Sequence, residues 1–373
     1  MRRSRTLAAA IAALFAIWIA TGTVDAGRTN GLKFHAQSLS WVSSQHGFLL
    51  GTAPCGAAMC TTTAGTTNGG TNWQTRGGLT APITFEDAGG VTALRFADDL
   101  HGWAFDPAFW ATNDGGRTWQ QQALPGANPV VALAADSQVA YAVESACGYS
   151  QSVTDCRHGE TLWRTTPGSG VWTQVSVRLP IWNEATVAVF GKTAYVVVGA
   201  ADIGDTIVAT TDGVHWSSRA TPCDNASGEY LSSVAPSSAS QVALLCQGNI
   251  GFGFAEKRVF RSSDAALTTT DGGTLNQYGI VSQLTAAPNG TLLVASYSIG
   301  SWIYRNGGET TWTTSEDLGD GGIGWNDIAF TTNQTAFVVH GPAECCGNHG
   351  VGEIWKSLDG GLTWRQTQVT PQG

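Results

Sequence analysis

The feature that most constrains this chain is a short motif repeated seven times along its length. Its two clearest copies are ATNDGGRTW at residues 111–119 and KSLDGGLTW at 356–364. Weaker copies run TTNGGTNW at 66–73, TTPGSGVW at 165–172, TTDGVHW at 210–216 and RNGGETTW at 305–312. A seventh, SSDAALTT at 262–269, has lost its glycines and its tryptophan yet aligns without a gap. Aligned on residues 68, 114, 167, 212, 264, 307 and 359, the copies are 46, 53, 45, 52, 43 and 52 residues apart. Near-regular spacing of this length marks a repeat architecture in which one supersecondary unit recurs.

Each motif reads as a tight turn between two antiparallel strands. Glycine supplies backbone angles that other residues resist. The acidic or amide side chain at Asn68, Asp114, Asp212, Asp264 and Asp359 accepts hydrogen bonds from turn amides. The tryptophans at 73, 119, 172, 216, 312 and 364 (Trp73, Trp119, Trp172, Trp216, Trp312, Trp364) pack back onto the sheet. Ahead of every motif lie two more strand-like runs separated by a short polar turn, as in residues 91–96 with 102–105 and 130–134 with 139–143. Every unit is therefore strand A, turn, strand B, loop, strand C, motif, strand D, and no sustained helical period follows the first 26 residues. Four antiparallel strands in about 40–50 residues is the arithmetic of a propeller blade. The expected fold is all-β, a seven-bladed β-propeller occupying residues 27–373, with blades at about 38–76, 91–122, 130–176, 185–219, 230–270, 281–315 and 325–368. Residues 32–36 offer one further edge strand that would bear on how the ring closes.

The motifs resemble the Asp-box, or BNR, repeat of sialidase-like and sortilin-type propellers. The segment FADDLHGW at 96–103, echoed by WVSSQHGF at 41–48, makes the chain similar to the photosystem II stability/assembly-factor branch of that superfamily. The resemblance implies a non-enzymatic binding scaffold, in which the acidic turn residues are structural rather than catalytic. Sialidases also carry such repeats, so the hydrolase alternative needs weighing. They hold a substrate carboxylate with converging arginines. Here Arg117, Arg164, Arg261, Arg305 and Arg365 fall beside the motifs on outer strands, leaving Arg95 as the one candidate on an inner strand. The alternative is then a glycoside hydrolase of non-sialidase type using carboxylates at the channel mouth.

Strand order assigns loops to faces. With strand A innermost, A–B turns and motif turns share one face, and B–C loops and D–A links share the other. All eight cysteines map to that second face or its margin: Cys55 with Cys60, Cys147 with Cys156, Cys223 with Cys246, and the neighbours Cys345 and Cys346. Eight cysteines allow about 105 pairings, and proximity makes these four pairs the default. A metal on Cys345, Cys346 and His349 is disfavoured because adjacent cysteines chelate one ion poorly, so neither metal nor cofactor is expected. The links into strand A carry Asp87, Trp182, Glu184, Tyr230, Trp325 and Asp327, and a B–C loop carries Tyr149. Together these are the candidate ligand face, with Tyr149, Trp182 and Trp325 as aromatic anchors. Nothing fixes a carboxylate separation of the kind glycosidases require.

Export follows from the N-terminus. Arg2, Arg3 and Arg5 precede an apolar run over residues 7–20, and Val24-Asp25-Ala26 is a cleavage site of the small-residue kind. Residues 1–26 are read as a signal peptide, and the mature chain as secreted or extracytoplasmic with no stable membrane span. Paired cysteines fit an oxidising compartment. The net charge of −9, more negative once that basic leader is removed, argues against nucleic acid and anionic membranes. The expected partner is a protein or glycan, bound by a monomer through the cysteine-stapled face.

Overall fold

The computed structural model describes residues 33–369, apart from short segments at 85–87, 147–158, 182–184, 201–203, 249, 342–343, 346–347 and 350–351. It is a seven-bladed β-propeller in which each blade is a four-stranded antiparallel sheet in simple meander order. Blade 1 comprises His35–Trp41, Gly47–Cys55, Ala58–Thr66 and Gln74–Gly78. Blade 2 comprises Ala93–Phe96, Gly102–Phe105, Phe109–Thr112 and Gln120–Gln122, and blade 3 Val130–Ala135, Ala140–Glu144, Thr161–Thr165 and Thr173–Gln174. Blade 4 is Thr186–Phe190, Thr193–Ala200, Gly204–Thr210 and Ser217–Arg219, and blade 5 Tyr230–Pro236, Val242–Gly248, Glu256–Ser262 and Thr270–Thr274. Blade 6 is Val281–Ala286, Leu292–Tyr297, Ser301–Asn306 and Thr313–Leu318, and blade 7 Trp325–Phe330, Ala336–His340, Glu353–Ser357 and Arg365–Thr367. The expected signal peptide lies outside the described residues.

The A strands touch one another in sequence around the ring, that of blade 7 meeting that of blade 1, so A is innermost. Convergence at the axis favours small polar side chains that reach the next blade. Ser38 and Ser40 accept the backbone N–H groups of Leu94 and Phe96, and Ser233 accepts that of Leu284. Strand B is buried on both faces, which is why its residues read as continuous apolar runs such as Tyr195 to Val198 rather than alternating. The short D strands are polar and exposed, as in Gln120–Gln122.

Among the described residues there is no single core. The buried residues form seven clusters, each lying between two adjacent blades. Stability therefore resides in blade-to-blade packing, and the ring has to close for every blade to be covered twice. Among the described residues it closes without strand exchange. His35 and Ala36 begin blade 1's own strand A, paired with Thr52 and Gly51, and supply no extra edge strand. The joint is made by side chains and loops. Trp41 stacks on Phe337 with centroids 4.4 Å apart, Lys356 Nζ donates to Gly69 O at 2.9 Å, and Ala36 N donates to Gly352 O at 2.8 Å.

Candidate functional site

The motif face is built as a set of self-satisfied turns. In blade 2, Thr112 Oγ1 donates to Asp114 Oδ1 at 2.8 Å, while Asp114 accepts the N–H groups of Arg117 and Thr118 and the Thr118 hydroxyl. Blades 5 and 7 repeat this with Ser262, Asp264 and Thr268, and with Ser357, Asp359 and Thr363. Asp212 does the same through Val214 and His215, and Asn68 through Thr66 and Asn72. The hydroxyl two residues before the acid was not part of the sequence expectation, yet it closes the turn. It accepts the N–H of Gly70, Gly116, Gly213, Ala266 and Gly361. Four of the turns are also bonded to the A–B turn of their own blade: Gly69 N to Gln45 O, Gly115 N to Leu100 O, Ala265 N to Ser240 O and Gly360 N to Gln334 O.

These bonds set the acidity of the turns. Against the cost of desolvation, the Thr118 and Thr363 hydroxyls and amides hold Asp114 and Asp359 down to about 2. The Thr268 amide and hydroxyl hold Asp264 to about 2, and the His215 side chain lowers Asp212 as well. A carboxylate depressed in the folded state stabilises it above the unfolded value and loses that effect as pH falls through the folded value. The melting midpoint is therefore expected to be flat from pH 7 to about 5 and to fall between about pH 4 and 2. Melts of the Asp114→Asn, Asp359→Asn double variant should show a shallower acid limb; an unchanged limb would contradict the assignment.

The turn tryptophans pack on the preceding blade rather than only on their own. Trp172 meets Trp103 and Phe109 of blade 2, Trp216 meets Tyr141 of blade 3, and Trp119 meets Phe96 in the cluster shared with blade 1. Trp73 packs at the joint with blade 7, Trp312 in the cluster shared with blade 5, and Trp364 in that shared with blade 6. Trp312 Nε1 donates to Gly272 O of blade 5 at 2.9 Å.

At the axis the A strands line a cavity of about 360 Å³ with polar walls that include Gln37, Thr92, Thr186, Gln283 and Asn326. Its charges are Asp106, Arg95 and Asp327. Asp327 is nearly buried and accepts from Ser38 Oγ at 2.7 Å, Leu39 N at 3.2 Å and Arg95 Nη1 at 2.9 Å. Arg95, the inner-strand arginine, is thus turned to an internal partner. Trp325 is not an exposed anchor: its ring is buried in blade 7 against His340 and Trp355. An aromatic at the first position of a strand pairs inward whenever the pleat points it there, and Trp325 lies opposite His340 in the ladder.

On the opposite face, Cys55 is bonded to Cys60 across the blade 1 B–C hairpin, and Cys223 to Cys246 between the link into blade 5 and its strand B. Tyr230, half-buried at the start of blade 5, accepts from Gln247 Nε2 at 3.2 Å. Asp87, Tyr149, Trp182, Glu184, Cys147, Cys156 and Cys346 lie outside the described residues, as does the side chain of Cys345. Among the described residues no cluster of His, Cys, Asp and Glu is arranged to hold a metal ion, and no helix is long and apolar enough to cross a membrane.

Ring, inner polar channel and stapled loops define a seven-bladed β-propeller. No protein-family model and no curated protein matches the sequence. Solved structures do match in fold. YCF48 from Cyanidioschyzon merolae is 16% identical, with 74% of this chain and 84% of that chain covered, at a TM-score of 0.50. YCF48 bound to D1 peptide is 16% identical over 73% of this chain and 79% of that chain, at 0.48. The computationally designed Ika8 protein is 13% identical over 92% and 89%, at 0.51. At these identities the likeness is one of fold.

Proposed function

We propose that the chain is an exported, non-catalytic binding scaffold of the Asp-box (BNR) propeller type, acting through the face that carries the B–C loops and D–A links. The observation that carries this reading is the state of Asp327. It is a channel carboxylate of the kind a hydrolase would need, and its Oδ2 already accepts from Arg95, Ser38 and Leu39, with Arg95 Nη2 3.5 Å from Oδ1. A general acid or base must instead be within hydrogen-bond reach of substrate. The turn carboxylates on the other face are likewise held by their own loops. Two disulfides support an oxidising compartment, and they brace loops on a rigid ring, where binding usually resides. The protein is read as a monomer whose ligand is a protein or glycan.

The test is a glycan array run beside a panel of chromogenic glycosides on the purified mature protein. Binding without turnover is the expected result. Turnover that vanishes in Glu184→Gln or Asp327→Asn would replace this reading with a glycoside hydrolase.

A further inference from the structure

A polar hollow of about 310 Å³ opens on the motif face at the joint of blades 5 and 6. That volume is at the lower end of the range for small-ligand pockets, about 300–1,000 Å³. Among the described residues that line it, only Arg261 is charged; it is half-buried, near the end of blade 5's strand C. A cation stands at the same place in blades 6 and 7. Arg305 Nε donates to Gly360 O at 2.8 Å, and Lys356 Nζ to Gly69 O at 2.9 Å, so each is capped by a turn glycine of the next blade. Among the described residues no turn glycine of blade 6 caps Arg261. That turn is closed by the Asn306 side chain, which accepts from Gly308 N at 2.8 Å and donates to Thr311 O at 2.9 Å. Arg261 reaches Gly290 O at 2.9 Å and Asn306 Oδ1 at 2.6 Å instead, and the hollow lies beside it.

Among the described residues no carboxylate pairs with Arg261, whereas Arg95 is held by Asp327 and Arg258 by Asp271. Its two acceptors are neutral oxygens, and burial pulls its pKa below the ordinary guanidinium value. Asp264, in the adjoining turn, spends its carboxylate on the Ser262 and Thr268 hydroxyls and the Thr268 amide. Glu309 of the blade 6 turn is exposed and does not line the hollow. A partly desolvated cation that faces only dipoles is stabilised by an anion, and a guanidinium carries five N–H donors to offer one. The walls add neutral donors. Asn289 Oδ1 accepts Thr291 N at 3.1 Å, which fixes that amide and leaves its NH₂ group to donate, and Ser263 contributes an exposed hydroxyl. Val242, Ala243 and Leu292, all buried, make the rest of the wall apolar, and a low-dielectric wall strengthens charge pairing.

We infer that this hollow binds an oxyanion, sulfate or phosphate, free or as a monoester, with Arg261 supplying the charge and Asn289 and Ser263 the neutral donors. The site lies on the face opposite the B–C loops and does not depend on reading those loops as the ligand face. A tetrahedral oxyanion presents several acceptor oxygens at once, which suits donors arriving from Arg261 and Ser263 of blade 5 and from Asn289 of blade 6. The apolar wall gives the carbon part of an ester a surface to cover.

The probes are sodium sulfate, sodium phosphate, phenyl sulfate and phenyl phosphate, titrated by calorimetry into the full mature protein with chloride holding the ionic strength constant. Saturable binding at a single site is expected. Asn289→Asp sets a carboxylate on the wall and should weaken that binding roughly tenfold or more, since like charges brought together cost several kcal/mol. The change is isosteric, at an exposed position, and keeps the acceptor for Thr291 N, so the fold is retained; circular dichroism checks this. Arg261→Gln should abolish binding, and Arg261→Lys, which keeps the charge without the fork, should retain part of it. Esters bound more tightly than the inorganic ions identify an ester as the ligand, and equal affinities identify the free ion; both keep the site. Heats no different from chloride dilution for all four probes overturn the inference. So does affinity unchanged in Asn289→Asp, a result that holds even where the Arg261 variants fail to fold.

Discussion

Replacing Phe337 with alanine is expected to destabilise the protein by about 3–5 kcal/mol, the range for emptying a fully buried aromatic site. Phe337 is 1% exposed and sits where the last blade meets the first. One face of its ring stacks on Trp41, Lys356 Nζ stands 5.0 Å from its centroid, and Gly70 of the blade 1 turn packs close against its edge. Trp73 in turn meets Trp41 edge-on at 5.9 Å. Removing the ring therefore strips one aromatic contact directly and unseats the next. The position matters because, among the described residues, no strand is shared between blades 1 and 7, so side-chain packing does what strand exchange would otherwise do. Denaturant unfolding gives the magnitude, and Phe337→Leu, which keeps most of the volume, should cost clearly less. Native-state hydrogen exchange should show the B strands of blades 1 and 7 opening more readily than that of blade 4. A loss under about 1 kcal/mol would mean the joint is held elsewhere.

The blade count, the strand order and the inner position of strand A were legible because they depend on local chemistry. The blade 5 turn shows how far this goes. Ala265 and Ala266 take left-handed backbone angles, φ 59° and 62°, where other turns have glycine. The Ser262–Asp264 pair still closes the loop, so the degenerate copy was readable from its spacing and its acid alone. What sequence did not reveal depends on partners far away in the chain. Periodicity gives the face a tryptophan occupies, not the blade it meets, and so the bridging role of Trp172 and Trp216 was invisible. Trp325 reads as a loop aromatic until its strand register turns it inward. The pairing of Asp327 with Arg95 spans 232 residues, a separation no local pattern encodes.

That pair underlies the second large effect. Asp327→Ala should cost about 2–3 kcal/mol, toward the lower end for breaking a buried ion pair because Arg95 keeps some contact with water. The loss exceeds that of a single ion pair in a loop because three donors lose their acceptor at once: Arg95 of blade 2, and Ser38 Oγ and Leu39 N of blade 1. Asp327 itself belongs to blade 7, so one carboxylate ties three consecutive blades at the axis. Arg95→Met should be milder, since Asp327 keeps its two blade 1 donors. Adding Arg95→Met to Asp327→Ala should recover little, because Arg95 Nη1 still donates to Leu94 O at 2.7 Å and Leu39 O at 3.2 Å, while Ser38 Oγ and Leu39 N stay unanswered. Asp327→Asn keeps an acceptor oxygen and should fall between wild type and Asp327→Ala. This ordering separates a structural carboxylate from a catalytic one. A catalytic acid would leave stability nearly level across the series while turnover collapsed in Asp327→Asn. A brace graded by the number of donors left unsatisfied gives the ranked losses above, read directly from denaturation midpoints. Equal stability of Asp327→Ala and wild type would remove the brace, and with it the argument that this channel carboxylate is already engaged.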